Sequence, residues 1–128
     1  MFDYQTPLEY TDQYGNDYLL YFFKFKYVTG NIGIGIDCMS PDGYLEPYGR
    51  LTTNIVPDYK WLASNQIILD TNNIHENLWK MLIKNNCIHI TGDRIKSGYC
   101  IYPVANVNQS WLLELPEKGR WILWFTYK

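Results

Sequence analysis

Long apolar runs are missing from this sequence. The longest are Trp121–Phe125 and, with tyrosine counted as apolar, Tyr18–Phe23. Both fall far short of the roughly 20 residues that a membrane helix requires, so no membrane partner is expected. The first residues, Met1-Phe2-Asp3-Tyr4, carry neither a basic start nor an apolar stretch. A secretory leader is therefore not expected, and the expected compartment is the cytoplasm. Cysteine is scarce: Cys38, Cys87 and Cys100 are odd in number and far apart. That is no disulfide framework, and it reads as reduced, mostly buried thiols.

An excess of cationic charge is also lacking. Eleven Lys and Arg stand against 13 Asp and Glu, a net charge of −2. This argues against a nucleic-acid binder held by phosphate contacts, and it is too small for a convincing mimic of a phosphate backbone. The distribution is more informative than the total. Residues 1–58 hold eight acids against three bases, a net of −5, and residues 59–128 hold five against eight, a net of +3. If sequence halves map onto faces, an acidic face could dock on a basic groove.

What is present is a globular balance, with 47% hydrophobic and 19% charged residues in 128. No linker, charge block or repeat interrupts it, so residues 1–128 are expected to form one domain. Twenty-two aromatics (five Trp, twelve Tyr, five Phe) are spread along the chain.

The first 56 residues read as a β meander. A strand over 4–11 is followed by the turn composition Asp12-Gln13-Tyr14-Gly15-Asn16. From Tyr18 to Val28 the alternation puts Leu19, Tyr21, Phe23, Phe25 and Tyr27 on one side and Lys24 and Lys26 on the other. The odd-numbered face is expected to be core or a large interface. Ile32-Gly33-Ile34-Gly35-Ile36 places isoleucines on one face and glycines on the other, a pattern that suits glycines covered by large rings. These glycines do not have the spacing of a phosphate-binding loop, and no helix follows them. Ser40-Pro41-Asp42-Gly43 is a type I turn by composition, and Tyr44–Val56 returns as a strand.

A helix is expected over about 73–85, capped by Asn73 with Glu76 three residues on. Its apolar stripe is Ile74, Leu78, Met81 and Leu82, Glu76–Lys80 is an i,i+4 pair, and Asn85-Asn86 can end it. Ile88-His89-Ile90, a turn region over 92–98 and a short strand Tyr99–Tyr102 follow. Trp111–Leu115, a Pro116–Gly119 turn and Trp121–Tyr127 read as a C-terminal β-hairpin whose last strand is apolar on both faces. The expected fold is α+β: an antiparallel, twisted sheet with one main helix and that hairpin.

The strings Asp70-Thr71-Asn72-Asn73, Thr91-Gly92-Asp93-Arg94 and Ser97-Gly98-Tyr99-Cys100-Ile101-Tyr102-Pro103 resemble a family of small bacterial domains of unknown function. Members of that family occur on phages, conjugative elements and similar mobile DNA. Gln13-Tyr14-Gly15-Asn16 and Asp42-Gly43-Tyr44-Leu45-Glu46-Pro47-Tyr48 fit the same pattern, and the resemblance covers roughly residues 12–108. The hairpin beyond looks like an addition. The family brings no catalytic residues with it; what it implies is context. Small acidic proteins of mobile elements often bind and disable host defence enzymes, CRISPR effector nucleases and restriction systems among them.

Candidate chemistry is sparse. Cys87-Ile88-His89 is the closest pair of metal-ligand types and lacks the spacing of zinc modules. A site completed by Cys100 and His75 is conceivable, and His75 otherwise reads as a hydrogen-bonded histidine beside the helix stripe. No nucleophile elbow surrounds Ser97, and Cys100 reads as packing. Asp70 and Asp93 could meet as paired carboxylates, though Asp70 beside two asparagines reads as a cap or turn residue. Aromatics on a sheet also suggest a stacking platform for single-stranded nucleic acid, but Lys24 and Lys26 alone make no basic groove.

The reading that remains is a protein interface. Its candidate residues are Trp121, Trp124 and Tyr127 on the last strand, with Asp37, Asp42 and Glu46 from the acidic half. The expected function is a non-enzymatic binding protein of a mobile element that inhibits a host defence nuclease. No cofactor, metal or direct nucleic-acid contact is expected, and a homodimer through the C-terminal strand is conceivable. The alternatives are an accessory structural or regulatory protein of the element, and a small metal-dependent enzyme.

Overall fold

A computed structural model describes residues 7–55 and 62–118. Four strands form an antiparallel meander in the order β1 (Leu8–Thr11), β2 (Asp17–Lys26), β3 (Ile32–Met39) and β4 (Leu45–Arg50). The three loops joining them share one hydrogen-bond pattern. In each, the fourth residue, a glycine at φ between 84° and 93°, donates to the carbonyl of the first, while the first donates to the carbonyl of the fifth. This is the three-residue hairpin loop that sets a glycine in the left-handed conformation, and it pins the register of the meander. The expected turns at 12–16 and 40–43 fall on two of these loops.

A second, three-stranded sheet has the order β5 (Gln66–Ile68), β7 (Cys100–Val107) and β6 (Ile88–Ser97). Residues 92–98, expected as a turn region, are mostly strand. Gly92 lies in an irregularity between Ile90 and Arg94, where Thr91 Oγ1 donates to the Val104 carbonyl and accepts from the Asp93 amide. The turn is confined to Gly98 and Tyr99. The two sheets meet at residues 51–53: Leu51 N donates to Ile34 O, Thr53 N to Ile68 O, and Asp70 N to Leu51 O. The architecture is α+β, mostly antiparallel sheet with two short helices.

The principal core lies on the even-numbered face of β2. Leu20 and Phe22 pack with Ile34 and Ile36 of β3, with Ile67, Ile88, Ala105 and Val107 of the second sheet, and with both helices. The odd-numbered face, expected to be core or a large interface, is exposed at Leu19. Farther along it Phe23, Phe25 and Tyr27 form their own buried cluster. Their rings lie on β3, where a Cβ on Gly33 would run into the Phe25 ring and one on Gly35 into the Phe23 ring. Ring coverage is thus the reason for the Gly-Ile alternation. Lys24, on the even-numbered side, reaches the Leu112 carbonyl at 2.9 Å.

Helix α1 (Glu76–Lys84) begins three residues later than expected. Asn73 and Ile74 donate their amides to the Asp70 carbonyl in a turn, and His75 is the cap, its Nδ1 accepting from Asn77 N at 3.1 Å. The helix ends as expected, with Asn85 at the cap and Asn86 at φ 61°. Leu78 and Leu82 are its buried residues, and the Glu76–Lys80 pair forms at 3.2 Å on the surface.

The first arm of the expected C-terminal hairpin is helical. Asn108 Oδ1 accepts from the amides of Ser110 and Trp111 and starts α2 (Gln109–Glu114). Trp111 and Leu115 are buried one turn apart, which is a helical repeat and not a strand alternation. Pro116–Lys118, expected as a turn, runs parallel beside β2. Lys24 N donates to Pro116 O at 2.9 Å, and Lys118 N donates to Lys24 O at 3.1 Å. The expected last strand, Trp121–Tyr127, lies outside the described residues.

Candidate functional site

The meander brings loops 12–16 and 40–44 to one end of the first sheet, because alternate hairpins turn at the same edge. Glu9, Asp17, Asp42 and Glu46 are exposed there, and Asp12 is half-buried. No lysine or arginine occurs in residues 7–23 or 38–49 to offset them. Tyr14 and Tyr44 stand out from the two loops, 81% and 73% exposed. Between the loops lies a cleft of about 630 Å³ that includes Glu9, Thr11, Asp17, Tyr18, Leu19 and Met39.

Two of these acids are fixed by local hydrogen bonds. Asp12 Oδ1 accepts from the amides of Tyr14 and Asn16, each at 2.9 Å. Slight burial pushes its pKa up, but the hydrogen bonds from Asn16 and Tyr14 prevail and hold the carboxyl below its ordinary range. Asp17 Oδ1 accepts from Thr11 Oγ1 at 2.6 Å. The end of the sheet is therefore acidic, aromatic and partly preorganised.

Of the residues that the sequence singled out, Asp42 and Glu46 lie at this end. Asp37 does not present a free charge: it is 5% exposed and bonded to Lys118 Nζ at 2.6 Å. Trp121, Trp124 and Tyr127 lie outside the described residues. The four candidate metal ligands are not brought together. Cys87 precedes the Ile88–Val107 end of the β6–β7 ladder and Cys100 sits at its opposite end, opposite Ser97. His89 is exposed on β6, and His75 is engaged as the cap of α1. Burial, with a smaller effect of Glu114, pushes the Cys87 thiol up to about 11, so it remains a thiol at neutral pH. Among the described residues no group of three or more His, Cys, Asp or Glu could hold a metal ion. No helix among them is long and apolar enough to cross a membrane.

A second cleft, of about 480 Å³, lies between the first sheet and the turn leading into α1. Tyr10, Ile36, Tyr48 and Arg50 line it from the sheet, Gln13 from the first loop, and Asp70, Asn73, Ile74, His75 and Leu78 from the turn and helix. Rings of Tyr10, Tyr18 and Tyr48 stand 5.2–6.4 Å apart at the boundary between the two clefts. Burial, with help from Tyr10 and Tyr18, raises Tyr48 to about 12, so its hydroxyl stays protonated. Asp70 Oδ2 accepts from Asn73 Nδ2 at 2.9 Å, while Oδ1 is buried without a hydrogen-bond partner.

Of these residues, sequence reasoning had marked Asp70 and Asn73 as turn or cap and His75 as a core histidine. It gave no role to Tyr10 or Arg50. The available signal was indirect: Gln13, Tyr48, Asp70 and Asn73 come from three strings that carry the family resemblance, and the fold gathers them at one cleft.

Residues 23–122 match the family described as domain of unknown function (DUF4313). The chain belongs to that family. The match starts later than residue 12 and runs past residue 108, so most of the segment after α2 is part of the DUF4313 domain and not an addition to it. Tyr48, Arg50 and the Asp70–Leu78 stretch fall inside the matched span, and Tyr10 and Gln13 precede it. No match occurs among curated protein sequences or among solved structures.

Proposed function

We propose that this protein is a non-enzymatic binding protein of a mobile genetic element that inhibits a host defence nuclease of the CRISPR or restriction type. One observation carries the reading: the acidic end of the first sheet, where Glu9 and Asp17 line a cleft and Tyr14, Asp42, Tyr44 and Glu46 are exposed on the same two loops and the strand that follows. Charge of one sign steers and orients docking, and aromatic rings supply buried area while keeping a polar handle. A nuclease offers the complementary surface, since the groove that holds its nucleic acid is basic. The mobile-element context comes from the resemblance described above. An inhibitor of this kind acts by occupying a surface and needs no active site.

The test is cleavage by purified CRISPR effector nucleases and restriction enzymes in the presence of the full-length protein. Inhibition is expected for at least one enzyme. It should weaken as salt is raised, because exposed charges are screened over about 10 Å at 0.1 M ionic strength. It should also be lost in the triple variant Asp17→Lys/Asp42→Lys/Glu46→Lys. Undiminished inhibition by that variant, or no inhibition across both classes, would overturn the proposal.

A further inference from the structure

The second cleft carries an inference beyond docking. It holds one cation and one carboxylate, and they are not paired with each other. Arg50 forms no ion pair among the described residues, and the Asp70 carboxylate has one hydrogen bond, from Asn73. Both line the cleft, Arg50 from the sheet and Asp70 from the turn. Arg50 also reaches the Tyr27 phenol, whose pKa burial raises while hydrogen bonds with Thr52 and Arg50 work against that rise. The buried Asp70 oxygen that lacks a partner is costly unless something completes it, and the exposed Arg50 lines the same cleft with no carboxylate paired to it among the described residues.

We propose that this cleft binds a small zwitterion of the α-amino acid type with an apolar side chain. Arg50 takes the carboxylate, since a guanidinium matches that group with two parallel N–H donors. The charge of Asp70 selects the ammonium. A ligand with one charge is attracted by one of these residues and repelled by the other; a ligand with both is favoured by each. His75 adds a fixed donor: Nδ1 accepts from Asn77 N, which leaves Nε2 to carry the ring proton. The apolar side chain is matched by Ile36 and Leu78 and by the Tyr48 ring. The volume of about 480 Å³ lies within the usual range for small-molecule sites and is ample for one amino acid.

The experiment is calorimetric titration of the full-length protein with L-phenylalanine and L-leucine, then with hydrocinnamate and phenethylamine. The last two keep the phenyl ring but lack the ammonium and the carboxylate respectively. Saturable binding of at least one amino acid is expected, with each single-charge analogue at least about tenfold weaker, roughly 1.4 kcal/mol. Arg50→Gln should weaken amino-acid binding at least as much while strengthening phenethylamine binding, because the repulsion of its ammonium is removed. Asp70→Asn, which keeps an oxygen acceptor for Asn73, should weaken amino-acid binding likewise while strengthening hydrocinnamate binding. If Asp70→Asn fails to fold by circular dichroism, Arg50→Gln decides alone, since Arg50 is exposed. No saturation at millimolar amino acid, equal binding of a single-charge analogue, or an Arg50→Gln variant that binds normally overturns the proposal. None of these outcomes bears on nuclease inhibition, which is assigned to the other cleft.

Discussion

Lys118 Nζ lies 2.6 Å from Asp37 Oδ2, joining the end of the described chain to the middle of β3 across 81 residues. The same ammonium stands 4.4 Å from the centre of the Phe23 ring. Both partners are largely out of water, with side-chain exposures of 18% and 7%. An isolated buried carboxylate is unfavourable, so this contact helps hold Pro116–Lys118 against β2.

Removing one partner should therefore cost more than removing both. Lys118→Met leaves Asp37 buried and unpaired, and it should lower stability by about 3 kcal/mol, the usual scale for a broken buried pair. Lys118→Met/Asp37→Leu should recover much of that loss. Urea denaturation of the parent, both single variants and the double variant measures the coupling, and additive effects would show that the contact does not matter.

The ring-over-glycine packing makes a second prediction. Gly35→Ala pushes a methyl group into the Phe23 ring and should destabilise by about 1–3 kcal/mol, as overpacking does. Combining it with Phe23→Leu removes the clash, so the double variant should be more stable than the sum of the single effects predicts. Thermal unfolding of the four proteins in the cycle checks this.

At the start of α1, His75→Ala should cost about 1 kcal/mol, the typical value for a lost N-cap. His75→Asp should restore most of it, because a carboxylate at that position caps the same amide and suits the helix dipole. Asn73→Ala removes a bond to Asp70 and not the cap, so its effect should be smaller. Equal losses for His75→Ala and Asn73→Ala would return the cap to Asn73.

That cap illustrates what the sequence could and could not reveal. The meander, its turns, the glycine faces and the C-terminal end of α1 were legible because each rests on local periodicity or turn chemistry. The helix start was not, because Asn73 and His75 are both able to cap, and a tertiary bond from Asp70 N to Leu51 O decides where the turn falls. Trp111–Leu115 misled for a related reason. Five residues rich in leucine satisfy a strand and a single helical turn alike, and the cap from Asn108 breaks the tie. Asp37 looked like a surface acid because its partner lies 81 residues away. The two clefts were hidden because loops and turns from distant segments build them; only the composition of the acidic half hinted at the first.

Tyr48 supplies a prediction in alkaline solution. Its folded pKa is raised from 10.0 to about 12, chiefly by burial and then by Tyr10. Between those values the folded state keeps the proton while the unfolded state has released it, so stability must fall as pH rises through this window. Below about pH 10 both states are protonated and the residue adds no pH dependence. Tyr10 is raised as well, first by burial, and adds to the same slope. Tyr48→Phe should flatten the decline, and the tyrosinate absorbance of the folded protein should appear late for one fewer residue than in the native sequence. A Tyr48→Phe variant that loses stability above pH 10 as steeply as the parent would mean that the ring is more open to water than its packing against Tyr10 and Tyr18 indicates.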